Sequence, residues 1–221
     1  MTKLDQEISS YIRKNIYNSN QQFIMGRILV IILLLAAIMG GCSYLGSYNE
    51  MVNLNEEVEA QWGNVQTSYQ RRADLIPNLV ETAKAAAATE KDIFTQIAAA
   101  RSNVANFTID KSVLNDPAAL QKFSELQGEL SGALSRLIAI QERYPDLKSN
   151  KNFEQLAIQL EGTENRINTE RRKFNEKAKL YNGYIKKLPN SIWAGFGGFE
   201  EKAYFESQPG TENAPQVNFN N

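Results

Sequence analysis

Ile28-Leu-Val-Ile-Ile-Leu-Leu-Leu-Ala-Ala-Ile-Met39 carries no polar side chain, and no charge appears anywhere from Ile28 to Asn49. About 20 helical residues, rising roughly 1.5 Å each, cross a hydrocarbon core of roughly 30 Å. The segment reaches that length once its weaker half, Gly40 to Tyr48, is included, and Tyr44 and Tyr48 then fall at the far interface, where amphipathic rings are favoured. A core helix of a soluble protein would show a polar stripe, and this run has none. Residues 28–48 are therefore expected to form a transmembrane helix.

Working outward, Arg13, Lys14 and Arg27 precede the run, while Glu50, Glu56, Glu57 and Glu59 follow it and no Lys or Arg returns before Arg71. The positive-inside rule puts a leader, residues 1–27, in the cytoplasm and the remainder outside it, as a single-pass membrane protein. Met39-Gly-Gly-Cys42 offers a second anchor: it is similar to a lipobox, in which cleavage precedes a cysteine that becomes lipidated. The alternative is an uncleaved helix in which Cys42 is a small apolar residue. Both put the later residues on the same side of the membrane.

Beyond the anchor the apolar residues recur at helical spacing. Leu54, Val58, Trp62, Val65 and Tyr69 begin a stripe that Ile76, Leu79, Val80, Ala83, Ala87, Phe94, Ile97 and Val104 continue, with an interruption at Thr89-Glu-Lys-Asp92. Asp116-Pro117 reads as an N-cap followed by proline at the first helical position. Leu120, Phe123, Leu126, Leu130, Leu134, Leu137 and Ile138 form the next stripe, which Tyr144-Pro145 stops. The last helix runs from about Asn152 to Lys187, with Phe153, Leu156, Leu160, Ile167, Phe174, Ala178, Tyr181 and Ile185 inward, and Leu188-Pro189 ends it. Each helix has an apolar stripe and a charged back, and the links are short. The expected architecture is all-α: a transmembrane helix followed, over 49–190, by an elongated antiparallel helical bundle. Four helices are expected if Thr89-x-x-Asp92 is a capping box after a tight turn. If it is helix interior and Pro77 only kinks a longer rod, there are three.

After the bundle come an aromatic tail, 191–208, and an end rich in Asn, Pro, Gly and Gln, 209–221, expected to be disordered. Residues 166–187 carry eight Lys or Arg against two Glu. With Lys186, Lys187, Trp193, Phe196 and Phe199 they suggest contact with an anionic membrane surface. The alternative is a helix end whose cations complement the dipole while the aromatics pack on the bundle.

The 221-residue chain has a formal charge of −1, no histidine and one cysteine. That composition excludes His-based triads and zinc sites, an intramolecular disulfide framework and a polybasic nucleic-acid surface. Gly195-Phe-Gly-Gly198 lacks the Lys, Ser or Thr of a phosphate loop. Glu161 and Glu164, three apart, could hold a metal or split acid and base roles, but such pairs are commonly solvated or salt-bridged faces. No catalytic constellation, cofactor or small-molecule substrate is expected.

Several segments taken in order carry a resemblance. They are Tyr48-Asn-Glu-Met-Val-Asn-Leu-Asn-Glu-Glu-Val58, Trp62, Gln70-Arg-Arg-Ala-Asp-Leu-Ile-Pro-Asn-Leu-Val80, Leu130-Ser-Gly-Ala-Leu134, Tyr144-Pro-Asp-Leu147, Gly162-Thr-Glu-Asn-Arg-Ile167, Tyr181-Asn182 and Phe196 to Glu206. Over residues 45–206 the chain resembles the LemA family of bacterial membrane proteins, though its leader departs from the usual family start. The resemblance implies one N-terminal membrane helix and an extracytoplasmic helical bundle, with roles around envelope physiology, stress and, in some branches, membrane-compartment formation. It carries over no catalytic residue. Arg71, Arg72, Asp74, Pro77 and Asn78 match its best-marked segment. Asp74 and Pro77 are read as local geometry, an Asx-type contact to the backbone ahead of a proline that sets a kink or helix start, with a partner-contact patch beside the kink as the further reading of the five residues. The expected function is a non-enzymatic scaffold that binds an envelope protein or itself. Direct lipid binding and, more remotely, a metal-dependent enzyme using Glu161 and Glu164 are the alternatives.

Overall fold

The computed structural model describes residues 3–108 and 110–206, with side chains from residue 25 onward apart from position 36. The expected disordered end at 209–221 lies outside the described residues, as do the last two positions of the aromatic tail. The chain divides into two units, Met1–Glu50 and Met51–Asn221.

The first unit is helical, part of α1 (Lys3–Ala86). Ile28 to Leu35, Ile38 and Met39 are each more than half exposed, so none of the described residues covers them. This helix is long and apolar enough to cross a membrane.

In the second unit, residues 51–86 of α1 are followed by α2 (Lys91–Asn106), α3 (Pro117–Ala139), a one-turn α4 (Pro145–Lys148), α5 (Lys151–Ile185) and α6 (Asn190–Gly197). Every described element is helical. Four long helices make the bundle, because α1 stops at Ala86 instead of running on through Thr89. It does run on through Pro77, which is exposed. The carbonyl left free by the missing N–H can therefore bond water.

The break at 87–90 is not made by a capping box. Glu90 sits at the N-cap of α2 with no side-chain capping bond. Its carboxylate instead accepts from the Tyr144 hydroxyl at 2.9 Å and pairs with Arg143 at 3.2 Å, and Thr89 Oγ1 lies 2.9 Å from the same hydroxyl. The α1–α2 turn is thus held by the turn after α3. Asp116 caps α3 as expected, accepting from the Ala118 and Ala119 amides at 2.9 and 3.2 Å with Pro117 at the first position. Asn150 caps α5 in the same way.

Contacts between helices give their directions. Glu57 pairs with Lys177, Gln61 bonds Glu170 and Arg72 pairs with Glu164, so numbers rise on α1 as they fall on α5 and the two are antiparallel. Ser131 with Glu164 and Ser124 with Arg171 make α3 and α5 antiparallel as well.

The core has two regions. One gathers Met51, Val58, Trp62, Val65, Tyr69, Phe123, Phe174, Tyr181, Ile185, Ala194 and Phe205. Trp62 packs on Phe123 and Phe174 with ring centroids 5.7 and 5.8 Å apart, within the range where tilted and edge-on aromatic pairs are favourable. The other gathers Ile76, Leu79, Ala83, Phe94, Ile97, Leu130, Leu134, Leu137, Leu147 and Phe153.

After α6 the chain turns at Gly198, whose φ of 71° is left-handed and favours a residue without Cβ. The Phe199 amide reaches back to the Ala194 carbonyl at 3.0 Å. The chain then runs extended along α5. The Asn182 side chain accepts from the Lys202 amide and donates to the Lys202 carbonyl, both at 2.8 Å. Asn175 treats Phe205 likewise, at 2.9 and 2.8 Å. The Ala203 amide bonds the Leu114 carbonyl at 2.7 Å, tying the strap to the turn before α3. Two asparagine amides thus satisfy backbone that has no strand beside it.

Candidate functional site

Between the two core regions lies a polar layer centred on Arg72. Its side chain leaves α1 on the inward face, in step with Tyr69 and Ile76, and the residue is only 1% exposed. Nη1 donates to Glu164 Oε2 at 2.8 Å and to Ser131 Oγ at 2.5 Å, while Nη2 bonds the side-chain oxygen of Gln127. Ser131 also donates to Glu164, at 3.3 Å. The guanidinium lies 5.2 Å from the Tyr69 ring centroid, within cation–π reach. Four side chains from three helices thus satisfy one cation that would be costly to bury alone.

Glu164 stands at the rim of the layer, its side chain 41% exposed. Beside it an open groove of about 1460 Å³ runs between α3 and α5, lined by Lys148, Glu161, Arg171 and Arg172 together with the apolar Ile138 and Ile158. Arg171 bonds Ser124 and the Glu206 carbonyl and lies 4.5 Å from the Phe205 ring centroid. Next to Arg171 on α5, the buried Glu170 carboxylate accepts from Gln61 at 2.8 Å and Lys173 at 3.1 Å. The Gln61 hydrogen bond holds its carboxyl below the usual carboxylate range, against desolvation. Burial pushes the Tyr181 phenol up to about 12 and pushes the Lys202 ammonium down.

The structure separates the residues of the marked α1 segment. Arg72 is buried, whereas Arg71, Asp74, Pro77 and Asn78 are exposed. Arg71, Asp74 and Asn78 share one helical stripe with Pro77 at its edge. The Asp74 carboxylate accepts from the Gln70 side chain four residues back, at 2.7 Å, and so does not bond backbone ahead of the proline; it stands in mid-helix, where turn geometry is absent. Glu161 is exposed while Glu164 is committed to Arg72, so the two acids do not converge. Among the described residues no cluster of three His, Cys, Asp or Glu side chains could hold a metal. Cys42 is exposed.

At the other end of the bundle, Lys186 pairs with Glu201 at 2.6 Å and Lys187 is exposed. Trp193 and Phe199 are half-buried against the core, while Phe196 is 78% exposed. The aromatic tail is thus divided between packing and exposure. Arg72, Gln127 and Glu170 are the residues that stripe reading passed over. All three fall at inward positions of their helices, and that register was the available signal.

Together these features define a class: an all-α protein with a four-helix bundle braced by a buried arginine and one helix long and apolar enough to span a bilayer. The chain belongs to the LemA family, whose pattern matches residues 61–219. It is similar to magnetosome protein MamQ of Magnetospirillum gryphiswaldense, 28% identical over 216 residues that cover 87% of this chain and 79% of that one. Magnetosome protein MamQ 2 of Paramagnetospirillum magneticum is 27% identical over 197 residues, covering 82% and 72%. Protein LemA of Metamycoplasma hominis is 24% identical over 142 residues, covering 64% and 61%.

Proposed function

We propose that this chain is a membrane-anchored, non-enzymatic scaffold of the bacterial cell envelope, with residues 1–27 cytoplasmic and the bundle, residues 49–190, outside the cytoplasm. The observation that carries this reading is how the polar groups of the bundle are used. Arg72, Gln127, Ser131, Glu164 and Glu170 bond one another or neighbouring helices, which commits these polar groups to helix register and, among the described residues of the polar layer, leaves no converging acid, base or nucleophile. The apolar run before the bundle is bare, as a segment facing lipid would be. What the bundle offers outward is surface: the stripe of Arg71, Asp74 and Asn78 beside Pro77, and the mixed groove between α3 and α5. Such surfaces suit an envelope protein or a second copy of the chain.

In-cell photo-crosslinking from position 74 tests this. A discrete product containing either one partner protein or two copies of the chain is expected. Uncrosslinked monomer across growth conditions, with efficient crosslinking in a control protein, would count against a scaffold. The intact mass of detergent-extracted protein decides between the two anchors. Full length means a spanning helix, whereas loss of residues 1–41 with added acyl chains means lipidation at Cys42.

A further inference from the structure

The junction of α5 and α6 exposes three large apolar side chains that the fold leaves uncovered: Leu188 (78% exposed), Ile192 (51%) and Phe196 (78%). Ile192 and Phe196 are four apart and share one face of α6. Its opposite side is anchored, since Ala194 is buried and Trp193 and Phe199 pack against the core. The face is therefore held rigidly outward.

Its place in the fold says what covers it. Glu57 lies against Lys177 and Gln61 against Glu170, so the end of α5 and the α6 that follows it lie toward the beginning of the bundle's part of α1, where Met51, Ile185 and Ala194 join one core region. Met51 is three residues beyond Tyr48, the last residue of the expected span. Three residues of any conformation reach at most about 11 Å. Along the chain, only Asn49 and Glu50 separate that end of the bundle from the expected span.

We propose that Leu188, Ile192 and Phe196 form a second membrane contact, inserted into the interfacial layer of the bilayer that holds the anchor. This inference rests on the anchored reading above. Insertion of this kind reaches roughly 5–10 Å into the headgroup and acyl boundary. Lipid charge is not its basis: Lys186 is engaged by Glu201, and Glu200 lies in the same tail. The contact is apolar, and it moves the membrane-facing role from Trp193 and Phe199, which pack inward, to Leu188 and Ile192.

The test uses the full chain, carrying Cys42→Ser, reconstituted in phosphatidylcholine vesicles that contain lipids spin-labelled near the headgroup. A fluorescent probe is placed in turn at Phe196→Cys, at Leu188→Cys, at Leu33→Cys within the expected span, and at Ile158→Cys, exposed on α5 at the far core region. Positions 196 and 188 should be quenched at least half as strongly as 33, and 158 should not. Unchanged helicity by circular dichroism establishes that each variant folds. Quenching at 33 with 196 and 188 as unquenched as 158 would overturn this inference while leaving the anchor intact. Failure at 33 as well would remove the anchored reading itself. A disulfide between two copies of the unlabelled Phe196→Cys chain under an added oxidant, with no lipid quenching of the labelled one, would assign the face to a second chain and overturn the inference. So would quenching that appears only when anionic lipid is added.

Discussion

Arg72 shows what burying a charge requires. Its guanidinium is enclosed, but its acidic partner reaches the rim, so the two ends of the ion pair are not equivalent. Arg72→Ala should cost about 3–4 kcal/mol, since it removes packing and leaves the Gln127 side-chain oxygen unsatisfied inside. Glu164→Gln should cost about 1 kcal/mol, because that side chain can turn to water. Thermal unfolding in detergent checks both, at roughly 2–4 °C per kcal/mol. Glu170 gives a pH dependence. Its folded carboxyl lies below the ordinary value of 4.5, so its contribution is full above that value and lost as the pH falls through the depressed one. Gln61→Leu should therefore flatten the fall in Tm between neutral and acid pH. Tyr181 acts at the other extreme. Raised from 10.0 to about 12, its contribution is full below pH 10 and is lost as the pH rises through 12. Tyr181→Phe should keep more of its stability in that window than the parent chain.

The helices themselves were largely legible, because each carries a stripe at 3.6-residue spacing and several have local stop or start signals such as Asp116-Pro117. The end of α1 was harder to read. Thr89 and Asp92 have the spacing of a capping box, but Tyr144 and Arg143, more than fifty residues away, take the side chains of Thr89 and Glu90 instead. No local pattern encodes that partner. Tyr144→Phe should cost about 1 kcal/mol and loosen the α1–α2 turn, as hydrogen exchange at 87–90 would report. The polar layer was hidden for a different reason. Apolar stripes are found by looking for apolar residues, and Arg72, Gln127 and Glu170 occupy stripe positions with polar ones. The strap after α6 was equally hidden, since its folding depends on two asparagines of α5. Asn182→Ala removes its bonds to the Lys202 backbone and to the Tyr204 hydroxyl. That loss of about 2 kcal/mol should make trypsin cleave after Lys202 roughly thirtyfold faster, with α5 intact.

In the molecule as a whole, the strap closes the second unit by joining α5 to Leu114 at the turn before α3. Its two clasps set a length requirement. Asn175 and Asn182 are seven residues apart on a helix, a span of roughly 10.5 Å. Phe205 and Lys202 are three apart on extended chain, a span of about 10 Å. The two spans agree to within a fraction of an ångström, so the asparagines work as a gauge that accepts one segment length. A single residue inserted between Lys202 and Phe205 would overshoot the second clasp by about 3.4 Å and turn the following side chain to the opposite face. Phe205 would then lose its place against Trp62 and Phe174.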